Sequence, residues 1–211
     1  GSSSLASVND ACARIARDVA VLRASKKTVV IVSSGAIALG WQKLGYKARP
    51  REVKKLQASA AAGQSSLMRA YEEAFAPLGV PVAQVLLTHA DLSDRTRANN
   101  ARDALGELLS AGAVPILNEN DSVAVEEIKF GDNDELSAMV TPLVDADVLV
   151  LLSDVDGLLD KQGARVSVIN DVATEALPLV LDLEYVQRMM AWLLFRPETS
   201  AAAPDLSPLH A

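Results

Sequence analysis

Four short, largely apolar runs, separated by segments with helical periodicity, constrain the fold of this chain more than any other feature. Continuously apolar runs rich in β-branched residues are typical of strands that are covered on both faces in a parallel sheet. Such strands, alternating with helices along the chain, predict an α/β fold: a three-layer αβα sandwich with a mostly parallel sheet. The runs are TVVIVSS, VPVAQVLLT, AVPIL and ADVLVLLSD, at residues 28–34, 80–88, 113–117 and 146–154.

The segments around these runs carry apolar residues at the spacing of amphipathic helices. A similar pattern at residues 181–195 predicts one further helix, and the Ala, Pro and Ser content of residues 197–211 predicts a disordered tail. A helix is also predicted after Gly35. The apolar positions that mark the other helices are Val8, Ala11, Cys12, Ile15, Val19 and Leu22; Leu67, Tyr71, Ala74, Phe75 and Leu78; Ala101, Leu105, Leu108 and Leu109; and Leu136, Met139, Val140, Leu143 and Val144.

Composition limits the classes of partner. The chain has 211 residues, of which 50% are hydrophobic and 22% charged, as expected of a globular domain. Its net charge of −7, without a run of Lys and Arg, predicts no nucleic acid and no membrane surface as a partner. The single cysteine, Cys12, lies on an apolar helical face and favours a core position in a cytoplasmic protein.

Polar clusters follow three of the predicted strands. Residues 33–35 (SSG), residues 118–121 (NEND) and the pair Ser153 and Asp154 lie where ligands gather in an open parallel sheet, beyond the carboxyl ends of the strands. The SSG cluster has two interpretations: it receives a carboxylate or phosphate, or it is an ordinary helix cap.

Acidic and amide residues are concentrated in NEND and in GDND at residues 131–134. Helix capping explains Asp132 but not the convergence of Asp121, Asn133 and Asp134 on the same edge. Carboxylates crowded together repel one another unless a cation joins them. The sequence therefore predicts a site for a zwitterion beside a metal-bound nucleotide.

Several of these stretches resemble glutamate 5-kinase, a family of the amino-acid kinase superfamily. The resemblance covers about residues 1–160, and the order of NEND and GDND is specific to this family among its sister kinases. It implies ATP-dependent phosphorylation of the γ-carboxylate of L-glutamate, the first step toward proline. The stretches are GSSSL, VVIVSSGAIALG, LQASAAAGQSSLMRAYEEAF, LLTHADLSDRTRANNARDAL, VPILNENDSVAVEEIKFGDNDELSA and LLSDVDGL.

The resemblance also implies roles for individual residues. Asp134 matches the aspartate that orients the catalytic lysines, and ATP with Mg²⁺ is the implied cofactor. The resemblance further implies inhibition by proline and assembly into a homo-oligomer. The implied glutamate-binding residues are Ser34, Asp121 and Asn133, and the implied nucleotide-binding residues are Gly1, Ser2, Ser153 and Asp154.

Two features of the family are not found in the sequence. The first strand of the family ends in a lysine two residues before the position of Gly1, and a nucleotide loop beyond the position of Asp160 holds a second lysine. We therefore expect residues 1–180 to be a partial amino-acid kinase domain, truncated at its edges, with residues 181–211 as a divergent helix and tail. A sheet without that interior strand is expected to leave backbone groups unpaired. Removing one electrostatic group from an active site often lowers the reaction rate by about 10² to 10³. Without both lysines, activity near background is therefore expected.

Other interpretations stay open at this stage. The chain is alternatively a catalytically inactive module that binds glutamate or proline, or a sister amino-acid kinase. Lys129 and His89 lie near the polar clusters, but a solvated lysine and a surface histidine are the simpler interpretations.

Overall fold

The computed structural model describes residues 5–124, 133–152, 165–166 and 191–197. The chain divides into two compact units, residues 1–151 with 189–211, and residues 152–188. The first unit contains all the helices and strands described below. They are α1 (Leu5–Ala24), β1 (Lys27–Ser33), α2 (Ala36–Lys43), α3 (Val53–Phe75), a 3₁₀ turn (Ala76–Leu78), β2 (Val82–Leu87), α4 (His89–Ser93), α5 (Arg95–Ser110), β3 (Val114–Glu119), α6 (Asn133–Leu143), β4 (Val148–Leu151) and β5 (Ala191–Pro197).

The strands form one five-stranded sheet in the order β2-β3-β1-β5-β4. β3 pairs in parallel with both β1 and β2, so that the carboxyl ends of these three strands meet at one edge. β5 pairs antiparallel with both β1 and β4, and β4 therefore runs parallel to β1. The prediction of a mostly parallel α/β sheet is confirmed.

Helices cover both faces of the sheet. On one face, Val30 and Val32 of β1 belong to a buried cluster with Leu105 of α5 and Leu136 of α6. On the other, the hydroxyl of Tyr71 in α3 donates to Ser33 Oγ at 2.9 Å, which places α3 against the odd-numbered residues of β1. The three-layer αβα arrangement follows from these contacts.

β1 and β3 are the most deeply buried of the four strands whose burial the structure describes, β1 to β4. Residues 29–33 of β1 and all six residues of β3 are buried, as expected for strands that have neighbours on both sides and helices on both faces. Cys12, on α1, is fully buried, which confirms its predicted core position. Burial raises the pKa of its thiol to about 12, so the side chain stays a neutral apolar group.

Helices α2 and α3 approach each other closely at two glycines. A Cβ atom on Gly40 would overlap the carbonyl oxygen of Ser59, and one on Gly63 would overlap the carbonyl oxygen of Ala36. Only glycine permits this backbone contact. The contact holds the start of α2 beside Gly63 of α3.

Two predictions about the end of the chain need correction. Residues 191–197 are a strand, so the single helix predicted over residues 181–195 is wrong for its last residues. An apolar run of this kind fits a buried strand as well as a helix, and here the backbones of β1 and β4 offer it partners on both sides. The expectation of unpaired backbone groups inside the sheet is also corrected between β1 and β4, because β5 pairs with both of these strands. Residues 181–190 and 198–211 lie outside the described residues.

Candidate functional site

The polar edge of the sheet is formed by the residues that follow β1, β2 and β3. Leu87, the last residue of β2, lies opposite Glu119, the last residue of β3, and the backbone N–H of Asn120 donates to the Leu87 carbonyl. Ser34 follows β1 in the same way. The three strand ends therefore deliver their polar residues to one place, as expected for a parallel sheet.

A chain of buried side-chain amides connects four elements at this edge. Asn118 of β3 is its centre: its Nδ2 donates to Gln64 Oε1 at 2.9 Å, and its Oδ1 accepts from the backbone N–H of Glu119 at 2.9 Å. Asn133, the first residue of α6, donates from Nδ2 to Asn118 Oδ1 at 3.3 Å and to the carbonyl of Ser33 at 3.1 Å. This chain fixes α3, β3, α6 and the end of β1 relative to one another.

A pocket of about 330 Å³ lies at one end of this amide chain. That volume corresponds to about eleven water molecules, which is sufficient for a ligand of the size of a free amino acid. The pocket is lined by Ala60, Ala61, Gln64, Ser65, Gln84, Leu86, Glu119, Asn120, Asp121 and Ser122.

Two carboxylates lie in the wall of the pocket. Asp121 is only 8% exposed, and Glu119 is similarly buried. Burial, followed by the neighbouring charge of Glu119, raises the pKa of Asp121 to about 7. A cationic group in the pocket would reverse both causes, because it would replace lost hydration and offset the repulsion. The electrostatics of the pocket therefore favour a ligand that carries an ammonium group.

His89, at the start of α4, lies between two carboxylates. Its Nδ1 is 3.9 Å from Glu119 Oε1, and its Nε2 is 3.8 Å from Glu135 Oε2. The imidazole is only partly exposed, and its Nε2 is buried without a hydrogen-bond partner, so the interpretation as a surface histidine stays a prediction. Its neighbours come from β3 and α6, so it also connects the edge of the pocket to the start of α6.

The structure positions four of the predicted site residues. Asp121 lines the pocket, whereas Ser34 and Asn133 do not. Asn133 instead donates to the carbonyl that precedes Ser34 and is joined to the pocket through Asn118 and Gln64. Asp134 follows Asn133 in the first turn of α6, where its carbonyl accepts from Ser137 Oγ at 2.7 Å.

The proposed glutamate-binding and catalytic roles of these four residues stay predictions. The predicted nucleotide residues Gly1, Ser2, Ser153 and Asp154 lie outside the described residues, as do Lys129 and Asp132.

The sequence interpretation missed Gln64 and gave no role to Asn118. A signal for Gln64 was present, because it follows Ala60 by four residues and precedes Leu67 and Tyr71 at helical spacing, on the buried face of α3. A polar residue at a core position of an amphipathic helix indicates a buried hydrogen bond or a site. Its partner, Asn118, is 54 residues away and cannot be found from local pattern.

Two kinds of feature are absent from the part of the chain that the structure describes. Within it, no cluster of three His, Cys, Asp or Glu side chains is arranged to hold a metal ion. None of its helices has the length and apolar character needed to cross a membrane.

Comparison with known proteins identifies relatives of this chain. It is 58% identical over 152 residues to the glutamate 5-kinase of Thermus thermophilus, an alignment that covers 72% of this chain and 41% of the relative. Identity with the glutamate 5-kinase of Cupriavidus metallidurans is 57% over 150 residues, covering 71% and 40%, and with that of Geobacter sulfurreducens 58% over 146 residues, covering 69% and 39%. The chain thus spans about two fifths of the length of these curated relatives.

The sequence model of the amino acid kinase family matches residues 1–181, which is most of the chain. The mostly parallel sheet, with helices on both faces and polar residues at the carboxyl ends of β1 and β3, agrees with this match. The chain belongs to the amino acid kinase family.

Proposed function

We propose that this chain provides the glutamate-binding part of a glutamate 5-kinase, which uses ATP to phosphorylate the γ-carboxylate of L-glutamate in the first step of proline biosynthesis. The observation that carries the proposal is the buried Asp121 carboxylate, whose raised pKa marks a site for an ammonium group. The likeness to glutamate 5-kinases supplies the identity of the amino acid.

In this proposal each end of glutamate has its own partners. Asp121 pairs with the ammonium group, which stabilises the carboxylate form of Asp121 at neutral pH. Ser34 and the backbone N–H of Asn133, at the start of α6, hold the γ-carboxylate near the carboxyl end of β1, in position for in-line attack. The side-chain amide of Asn133 positions this backbone by donating to Ser33 and Asn118. Asp134, next to Asn133, is the proposed catalytic residue and orients the groups that contact the transferred phosphate.

The start of α2 fits an anionic group at this edge. Gly35, with a φ of 108°, is the N-cap residue of this helix and has no side chain with which to cap it. The N–H groups of a first helical turn suit an anionic oxygen, from a carboxylate or a phosphate. When bound, ATP supplies the phosphoryl group and Mg²⁺ neutralises its charge.

Further parts of the proposal rest on the family resemblance alone. They are nucleotide binding by Gly1, Ser2, Ser153 and Asp154, inhibition by proline and assembly into a homo-oligomer. The expected cytoplasmic location rests on the use of cysteine.

Calorimetric titration with L-glutamate, L-aspartate and N-acetyl-L-glutamate tests the ligand. We expect L-glutamate to bind most tightly, because acetylation removes the positive charge that Asp121 needs and aspartate is too short to reach both ends of the site. Tighter binding of L-aspartate or of N-acetyl-L-glutamate would contradict the proposal and favour a sister kinase.

Hydroxamate formation tests the reaction. With ATP, Mg²⁺, L-glutamate and hydroxylamine, a γ-glutamyl phosphate product is trapped as the hydroxamate. We expect a weak signal, in line with the activity near background expected from the sequence, that requires both ATP and glutamate. Glutamate binding without hydroxamate would instead assign the chain to the noncatalytic glutamate-binding class.

A further inference from the structure

The side-chain amino group of Gln64 is buried without a partner. Gln64 is only 9% exposed, and its Nε2 has no hydrogen-bond partner. Leaving a buried donor unpaired is costly in free energy of folding, so few such groups are kept in native proteins without a reason. A ligand that accepts a hydrogen bond at this position would remove the cost.

The orientation of the Gln64 amide follows from a backbone group. The N–H of Glu119 donates to the Asn118 side chain, so the atom that accepts this bond must be Oδ1. Asn118 then presents Nδ2 to Gln64, and only the oxygen of Gln64 can accept from it. Reversing the Gln64 amide would place two amino groups face to face. The Gln64 amino group therefore points away from Asn118.

Gln64 is one of the residues that line the pocket, together with Asp121 and Glu119. The two acids suit the ammonium group of an amino acid, but they repel the α-carboxylate that is attached to the same carbon atom. A neutral donor in the wall resolves this conflict. It binds the carboxylate but, unlike a cationic side chain, does not compete with the ammonium group of the ligand for the two acids. Ser34 and Asn133, the proposed partners of the γ-carboxylate, do not line this pocket.

We propose that Gln64 is a substrate-binding residue whose Nε2 donates a hydrogen bond to the α-carboxylate of the amino acid while Asp121 pairs with its ammonium group. The inference rests on the proposed function, since it takes L-glutamate as the ligand. It adds a specificity determinant: the site selects a free α-carboxylate over a neutral group in its place.

The test uses the Gln64→Glu variant of the whole chain. The variant keeps an oxygen for Asn118 and replaces only the amino group. We expect its Kd for L-glutamate to rise by about 10- to 100-fold, as for the loss of one hydrogen bond to a charged group. Its affinity for the α-amide of L-glutamate, which can itself donate to the new carboxylate, should fall less. The preference for glutamate over the α-amide should therefore drop by about tenfold or more.

Two variants control for charge and for folding. Gln42→Glu adds the same charge on an exposed position of α2 and should leave the preference unchanged. Gln64→Met removes the donor without adding charge, and its preference should also fall even if its melting temperature is lower. In the unaltered chain, ¹⁵N NMR should show the Gln64 side-chain amide shifting on addition of L-glutamate but not of γ-aminobutyrate, which lacks the α-carboxylate.

The outcomes separate this inference from the proposed function. If the unaltered chain binds L-glutamate and both Gln64 variants keep the full preference over the α-amide, the inference alone is overturned. An unshifted NMR signal of the Gln64 amide at saturating glutamate would also overturn this inference alone. If the unaltered chain binds no L-glutamate, both proposals are overturned.

Discussion

Asp121 and Asp91 lie after neighbouring strands at the same edge of the sheet, yet their surroundings have opposite effects. The Asp91 carboxylate accepts from the backbone N–H and hydroxyl of Thr88 and from Arg97, and these bonds hold its pKa below the ordinary value. Asp121 is buried beside Glu119, and its pKa is raised to about 7.

The difference separates a structural cap from a binding site. Thr88 and Asp91 form a capping box at the start of α4, in which each side chain satisfies a backbone N–H of the other residue. The cluster around Asp121 instead leaves a buried acid next to a second acid, and a buried Gln64 amino group without a partner. A polar cluster that satisfies itself supports the fold, whereas one that stays unsatisfied in a pocket favours a ligand.

The largest expected effect concerns ligand affinity. Asp121→Asn removes the charge that pairs with the ammonium group, so the Kd for L-glutamate should rise by about 100-fold or more, as for loss of a buried charge pair. Asp91→Asn should change this Kd by less than about threefold, because Asp91 does not line the pocket. Calorimetric titration of both variants measures the two Kd values. Equal losses of affinity would show that Asp121 and Asp91 do not differ in ligand binding.

The second largest expected effect is on how the stability of the fold depends on pH. Because the folded pKa of Asp121 lies above its ordinary value of 3.8, the folded state holds more protons between these values. The contribution of Asp121 to stability is therefore fully present below about pH 4 and is lost as the pH rises through about 7, with a slope of at most about 1.4 kcal/mol per pH unit. Urea unfolding from pH 5 to 8 should show this slope in the unaltered chain and lose it in Asp121→Asn. The same slope in both proteins would contradict the assignment.

Asp91 should contribute to stability with the opposite sign of pH dependence. Its folded pKa lies below the ordinary value, so its contribution is present above about pH 4 and is lost as the pH falls through the lowered pKa. Asp91→Ala also removes one half of the capping box and should cost about 1 kcal/mol at neutral pH. Urea unfolding at pH 7.5 measures this loss. Asp121→Asn is the matched comparison and should be as stable as the unaltered chain or more so, since it removes a buried repulsion.

The smallest expected effect separates the two causes of the raised pKa of Asp121. Burial is the larger cause and the charge of Glu119 the smaller. Glu119→Gln should therefore lower the pKa of Asp121 but leave it above 3.8. NMR titration of the Asp121 carboxyl carbon measures both values. A return to the ordinary value would show that Glu119, and not burial, dominates.

The fold was largely predictable from sequence because its central strands are buried on both faces. TVVIVSS and AVPIL are apolar throughout or nearly so, and they became β1 and β3 with almost no exposed residue. β5 was not predictable, because a short apolar run fits both a helix and a strand until the neighbouring strands are known.

The polar edge of the sheet was predictable in position, but the interactions within it were not. The polar residues after β1 and β3 indicated the edge of the sheet, and the structure brings Ser33, Asn118 and Asn133 together there. The raised pKa of Asp121 and the orientation of Gln64 depend on burial and on contacts between distant segments, which local pattern does not contain.

Proton release on ligand binding tests the central claim, that Asp121 is a buried acid held for an ammonium group, most directly. L-glutamate is titrated calorimetrically at pH 6.5 in two buffers that differ in ionisation enthalpy. An ammonium group bound beside Asp121 lowers its pKa, so the account predicts release of a large fraction of one proton per glutamate bound, and no release in Asp121→Asn. Glutamate binding with no proton release, or with equal release in the variant, would contradict it.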